Sequence, residues 1–220
     1  MELAGIIRKY SSDKDRNCYS HLYSMLFDNM KNDELNVLKI GIGDMILNAR
    51  RTRTVTGCST RTEDTKPYCD ESDGSANDEH GGDTYIPGSS IRAWGYYFPN
   101  SIVYGVDLHP DTQFEEGNIK TYLCSSIEKA AVDKLMEELG IKFNIIIDDT
   151  AQIASLSNFF PYLKDDGIYV IENIYPGSSL NSSTPTVVKD IIGSYEHYFV
   201  GETPNQCVIK KRLTSAQDIC

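Results

Sequence analysis

Apolar positions along this chain follow two periods. Tyr19, Leu22, Tyr23, Leu26 and Phe27 recur at three- and four-residue steps, so Tyr19–Met30, after a first segment Leu3–Tyr10, predicts a helix packed on a domain. Short apolar runs predict strands at Val37–Ile42, Ile102–Asp107, Ile119–Leu123, Phe143–Asp149 and Ile168–Glu172, with helical patterns between them at Ser89–Phe98, Ser126–Leu139 and Ala151–Leu163. Phe143–Asp149 (FNIIIDD) is nearly continuous, as suits a central strand covered on both faces. An Asp165-Asp166-Gly167 turn leads into the strand that follows it. A helix near Val187–Ile192 and a terminal hairpin, Tyr195–Val200 with Gln206–Lys211 across Gly201–Asn205, close the series. Strand and helix alternate as βαβ units require, which predicts an α/β, doubly wound sheet of about seven strands with an antiparallel strand at one edge.

One stretch breaks the pattern. Asp44–Pro87 has almost no aliphatic residues in its middle, TRTVTGCSTRTEDTKPYCDESDGSANDEHGGD, and so lacks the apolar area that offsets the entropy of ordering. It reads as a mobile insertion after the first strand. Its Arg50, Arg51, Arg53 and Arg61 precede an acidic half, Glu63–Asp83, and long loops beside a pocket are often lids.

With 220 residues, one domain is expected, since single cores stop growing near ~250 residues. Arg8 and Lys9 come too early for a secretory apolar region and no run of ~18 apolar residues occurs, so a soluble, cytoplasmic protein without a membrane partner is expected. The formal charge of −11 disfavours a nucleic-acid partner. Cys18, Cys58, Cys69, Cys124, Cys207 and Cys220 form no CxxC pair, so reduced thiols are expected. A small-molecule acceptor remains the natural partner, and a homo-oligomer is left open.

The strand ends carry the chemistry. VLKIGIG ends in Gly41 and Gly43, IVYGVD ends in Asp107, and FNIIIDD ends in Asp148 and Asp149. In an open α/β sheet the ligand sits outside the carboxyl ends of the strands, so these ends sketch one nucleotide-type pocket. A carboxylate in Asp107's place accepts both hydroxyls of a ribose. The plainer readings are a cap or turn for Asp107 and a helix cap for Asp148 and Asp149. Trp94, Tyr96 and Tyr97 read as packing. A compact G-x-G-x-x-G before a helix is missing, which disfavours a dinucleotide oxidoreductase.

The string GSSIRAWGYYFPNSIVYGVDLHPDTQFEEGNIKTYL, followed by FNIIIDD and LKDDGIYVIENI, resembles the class I S-adenosylmethionine-dependent methyltransferases. More narrowly it is similar to the mycinamicin-type sugar O-methyltransferases, whose signatures are EIG, GxSLRxWxxYFPNAxIYGxDI, DDGSH and YVIEDL. YSSDK and YSHLY near the start are similar to the group's TDK and Yt..Y. The resemblance implies a Rossmann-like sheet and S-adenosylmethionine held by Gly41, Gly43, Ser90, Asp107, Ser125 and Asp148. It also implies a Mg²⁺ ion on Asp149, Glu172 and Asn173 that orients a sugar hydroxyl and lowers its pKa. Asp149 then stands at the catalytic centre, and a nucleotide sugar is one candidate acceptor.

Four positions depart from the group. The histidine of DDGSH, its expected base, is Gln152, and an amide takes no proton near neutral pH. The acid of EIG is Lys39, the acid near the adenine falls on Ser125, and the acid after Glu172 is Asn173. Two readings follow. A divergent methyltransferase uses another base, such as His109 or a metal-bound hydroxide, or needs none if the metal acidifies the substrate enough; a catalytically lapsed homologue serves as a binding or scaffolding protein.

Overall fold

The computed structural model describes residues 2–10, 19–43, 88–150, 153–174, 184–193, 195–200 and 206–211. Its strands are β1 (Asn36–Ile40), β2 (Ile102–Asp107), β3 (Glu115–Glu116), β4 (Ile119–Leu123), β5 (Phe143–Asp148), β6 (Leu163–Ile171), β7 (Glu196–Val200) and β8 (Gln206–Lys210). Its α-helices are α1 (Leu3–Lys9), α2 (Tyr19–Phe27), α3 (Ser89–Tyr97), α4 (Lys129–Leu139), α5 (Ile153–Phe159) and α6 (Thr184–Ile192). The strands form one sheet in the order β3-β4-β2-β1-β5-β6-β8-β7. From β4 to β6 the neighbours run parallel, and β8 is antiparallel to both β6 and β7. The crossovers diverge between β1 and β5, where such a sheet opens a crevice at its carboxyl edge.

Successive side chains point to opposite faces of a strand. Leu38, Ile40, Ile146, Tyr169 and Ile171 face one way and meet Val132, Leu156 and Val188 of α4, α5 and α6. Val37, Ile145, Ile147 and Val170 face the other way and meet Tyr23 and Phe27 of α2 and Trp94 of α3. Both faces are therefore core, which accounts for the unbroken apolar runs.

Several boundaries differ from the sequence reading. Glu115–Glu116 adds an eighth strand to the expected seven, pairing antiparallel with β4. The Asp165-Asp166-Gly167 stretch lies inside β6: pairing with β5 jumps from Phe143↔Leu163 to Ile145↔Ile168, leaving the polar triplet bulged. Asp166 takes a left-handed φ of 61°, its N–H donates to the Lys211 carbonyl at 2.9 Å, and the Lys211 N–H donates to the Gly167 carbonyl at 3.0 Å. The chain's far end thus absorbs what reads locally as a turn. The helix expected over Ala151–Leu163 is α5 followed by a 3-10 turn, Phe160–Tyr162, because Pro161 cannot donate to a continuing helical ladder. The helix expected from Ser126 begins at Lys129, and the one expected to reach Met30 stops at Phe27. The insertion 44–87 and the hairpin turn 201–205 lie outside the described residues.

Candidate active site

Register sets the site. Ile40 pairs with Val106 on one side and Asp148 on the other, and Asp148 pairs with Ile171. The residues that follow, Gly41, Asp107, Asp149 and Glu172, therefore stand in a row at the carboxyl edge. Backbone bonds extend the row: the Gly41 N–H donates to the Val106 carbonyl at 2.9 Å, Asp149 to Ile40 at 3.0 Å, and Glu172 to Asp148 at 2.7 Å.

Gly41 and Gly43 have φ of 80° and 86°, a left-handed conformation that favours glycine. The β1 loop they shape is tied to β2. Asp107 Oδ2 accepts the Ile42 N–H at 2.7 Å and the Gly43 N–H at 3.1 Å, while Oδ1 accepts the His109 N–H at 3.0 Å. Asp107 thus ends β2 at the carboxyl edge of the sheet and organises the glycine loop. Ser125 lies two residues past β4, half-buried beside the Asp107 backbone, which accepts the Cys124 N–H at 2.9 Å. Ser90 sits half-buried in the first turn of α3.

Strand alternation separates the two neighbouring acids. Asp148 turns to the α4–α5–α6 face, fully buried; Oδ1 accepts the Thr150 N–H at 2.9 Å and hydroxyl at 2.6 Å, and Oδ2 accepts the Tyr169 hydroxyl at 2.7 Å. Burial holds its carboxyl above the usual carboxylate range, against the pull of these bonds, and pushes the Tyr169 phenol well above 10. Asp148, expected on the cofactor, caps the turn after β5 from the α4–α5–α6 face of the sheet.

Asp149 turns to the other face and meets Glu172, Asn173 and Lys39. The Lys39 ammonium is fully buried, 3.1 Å from Asp149 Oδ2, 3.3 Å from Glu172 Oε2 and 3.4 Å from the Ile40 carbonyl. Asn173 Nδ2 donates to Asp149 Oδ1, and Tyr23 Oη donates to Glu172 Oε1. Tyr19 Oη donates to Asn173 Oδ1 at 3.1 Å, and Asn173 holds a left-handed φ of 57°, which Asn tolerates better than most residues. Burial first, then the Glu172 charge, raises the Tyr23 phenol well above 10. Of this set Asp149 reaches the crevice, with 20% of its side chain exposed, whereas Glu172 has none.

The structure therefore brings Asp149, Glu172 and Asn173 together as expected, and Gln152 lies outside the described residues. His109 is half-buried just past β2, beside Asp107 rather than in the Asp149 cluster. Tyr19 and Tyr23, read from helical spacing as packing, donate into the cluster, and Lys39 lies at its centre. A signal for Lys39 was present: a lysine inside an apolar strand is buried only when paired, so it demanded an acid. Trp94 and Tyr97 pack as expected, and Tyr96 is exposed. A depression of 510 Å³ lined by Gly95, Tyr96, Pro99 and Asn118 lies at the amino ends of β2 and β4, the opposite edge of the sheet.

S-adenosylmethionine suits this edge, because Gly41 and Gly43 turn the β1 loop there through left-handed φ and Asp107 offers a buried carboxylate. A divalent ion fits the cluster poorly as arranged. The carboxylates are hard donors, but the ammonium already bridges them, and Asn173 presents nitrogen rather than oxygen to Asp149. Among the described residues no group of three His, Cys, Asp or Glu side chains is gathered as for a metal. Nor is any of their helices long and apolar enough to cross a membrane.

No family model matches the chain. Among curated proteins it is similar to mycinamicin VI 2''-O-methyltransferase of Micromonospora griseorubida, 26% identical over 135 residues, 54% of this chain and 34% of that protein. It is similar to 8-demethyl-8-alpha-L-rhamnosyl tetracenomycin-C 2'-O-methyltransferase of Streptomyces olivaceus, 25% identical over 178 residues, 78% of this chain and 37% of that protein. L-olivosyl-oleandolide 3-O-methyltransferase of Streptomyces antibioticus is 32% identical over 101 residues, 43% of this chain and 26% of that protein. The chain spans about a third of the length of these curated relatives. A solved structure of the MycE methyltransferase with Mg, SAH and mycinamycin VI superposes with a TM-score of 0.67 at 18% identity, covering 100% of this chain and 57% of that one. Human methyltransferase-like protein 13 in complex with SAH gives 0.52 at 11% identity, covering 86% and 77%. The strand order, the acids at the strand ends and these likenesses together identify a class I S-adenosylmethionine-dependent methyltransferase fold that resembles the mycinamicin-type sugar O-methyltransferases.

Proposed function

We propose that this chain is an S-adenosylmethionine-dependent O-methyltransferase acting on a hydroxyl of a sugar or glycosylated small molecule. The observation that carries the reading is the row Gly41, Asp107, Asp149 and Glu172 at the crevice edge of the sheet. The curated relatives' names, all O-methyltransferases of glycosylated or macrolide compounds, support the acceptor class.

When bound, S-adenosylmethionine supplies an electrophilic methyl on a sulfonium. Asp107 keeps the β1 loop in shape through the Ile42 and Gly43 amides and offers its remaining lone pair to the ribose; an ionised carboxylate has about four acceptor sites. Asp149, partly open to the crevice, would accept the acceptor's hydroxyl hydrogen bond and take up its proton as the methyl carbon leaves the sulfonium sulfur, which keeps the bonding pair, for that oxygen. Glu172 stays buried and holds Lys39 and Tyr23 in place.

Calorimetry with S-adenosylmethionine and S-adenosylhomocysteine tests the cofactor claim, followed by methyl transfer to a panel of nucleotide sugars and glycosides. Asp107→Ala should weaken the cofactor roughly 10- to 100-fold, as expected for charge-assisted bonds of about 1.5–3 kcal/mol. Unchanged affinity removes Asp107 from the ribose. For a nucleotide-sugar acceptor, Arg50, Arg51 and Arg53, which lie outside the described residues, are the candidate phosphate partners, and affinity should then fall with salt.

A second reading, a lapsed methyltransferase that binds without turnover, is favoured by Lys39 closing the carboxylate cluster and by Gln152 in place of a base. Cofactor binding without transfer to any acceptor supports it. Transfer restored by Gln152→His in an inactive protein places the loss at the base.

A further inference from the structure

We propose that the Lys39 ammonium is the resident cation of the Asp149–Glu172 pair, standing where a divalent ion bridging these carboxylates would sit. The inference rests on the methyltransferase reading only in taking this crevice to be the acceptor site.

Three observations carry it. Lys39 is placed by its strand: it pairs with Gly105 of β2 and Ile147 of β5, in the middle of the sheet, so its ammonium cannot leave for solvent without dismantling the core around it. Each carboxylate gives one oxygen to that ammonium, while its other oxygen takes a hydrogen bond, from Tyr23 on Glu172 and from Asn173 on Asp149. An added ion about 2.0–2.1 Å from the same oxygens would adjoin a fixed positive charge with little water to screen it. The two residues that depart from an acidic pattern here act in the same direction. Lys39 supplies a positive charge, and Asn173 withholds a negative one while donating to Asp149. Together they leave one ammonium set against two carboxylates, a net charge of about −1.

In this arrangement Lys39 is a positioning residue. It holds Asp149 Oδ2 at the crevice edge, and the acceptor hydroxyl meets the carboxylate directly.

The test uses Mn²⁺ as a paramagnetic stand-in for Mg²⁺, since both suit carboxylate oxygen. Electron paramagnetic resonance of the wild-type protein should show only free ion up to on the order of 1 mM Mn²⁺. Lys39→Met should bind about one ion per chain at least roughly 100-fold more tightly, and Lys39→Met combined with Asp149→Asn should lose it. Lys39→Arg keeps the charge and should stay metal-free. Tight Mn²⁺ binding by the wild type that Glu172→Gln abolishes overturns the proposal, even if Lys39→Met does not fold. A folded Lys39→Met that takes up no ion overturns it too. Calorimetry with S-adenosylmethionine on the same wild-type sample separates the two claims: a protein that binds neither cofactor nor Mn²⁺ fails the methyltransferase reading and leaves the resident cation standing.

Discussion

Tyr23→Phe removes one oxygen from the interior and leaves Glu172 Oε1 without its phenol donor. Both residues are fully buried, so no bulk water replaces the bond. A hydrogen bond to a charged group contributes about 1.5–3 kcal/mol, and here the acceptor left behind stays desolvated, so the cost should fall in that range. For a chain of this size each kcal/mol lowers Tm by about 2–4 °C, which places the expected drop at roughly 3–12 °C. Urea titration and calorimetry together measure it and check for a two-state transition. The pH dependence gives a second reading. The Tyr23 phenol lies well above 10 in the fold, so its contribution is complete below the unfolded value of about 10 and is lost as pH rises toward the folded one. The gap between wild type and Tyr23→Phe should therefore narrow above about pH 10. A loss below about 0.5 kcal/mol with a gap that ignores pH would refute the buried Tyr23–Glu172 bond.

Asp148 shows the same sign in an acidic window. Because burial raises its folded pKa, keeping it protonated stabilises the fold below about pH 4, and that contribution is lost as pH climbs through the raised value. Asp148→Asn should thus gain on wild type across the mildly acidic range in urea titrations, and a pH-independent difference refutes the assignment. Gly105→Ala would place a Cβ 2.5 Å from Ile91 Cδ1 and 2.8 Å from Ile42 Cδ1, so overpacking should cost about 1–3 kcal/mol by chemical denaturation; a neutral variant would mean that the isoleucines swing aside. Cys207 is buried and its thiol is pushed up to about 12, so it should resist thiol reagents near neutral pH until the protein unfolds. Labelling of Cys207 in the native state contradicts this.

Much of the sheet was legible because central strands buried on both faces leave unbroken apolar runs, and β1, β2, β4 and β5 fall where those runs do. The start of β6 was not, because Asp165, Asp166 and Gly167 have turn chemistry, and only pairing with Lys211, far along the chain, keeps them in the sheet. The same limit governs the site. Adjacent acids at a strand end must face opposite ways, but which of Asp148 and Asp149 meets the crevice depends on which helices cover each face. Lys39 stood out as a charge in an apolar strand, yet its partners come from β5 and β6 and their identity is a matter of register. Tyr19 and Tyr23 carry the helical period of a packing face, and that period says nothing of hydroxyls reaching strand ends.

The bond from Tyr23 to Glu172 spans 149 residues of sequence, which bears on how the protein is made. At about 5–20 residues per second of synthesis, α2 waits roughly 7–30 s for the end of β6 to leave the ribosome. Through that interval Lys39 and Tyr23 have no Glu172 to pair with, and the aromatic face of α2 has no complete sheet beneath it. The charged cluster is therefore a late-setting joint, and sequence changes within it should show first as poor soluble yield from cells rather than as weak binding by the protein that survives.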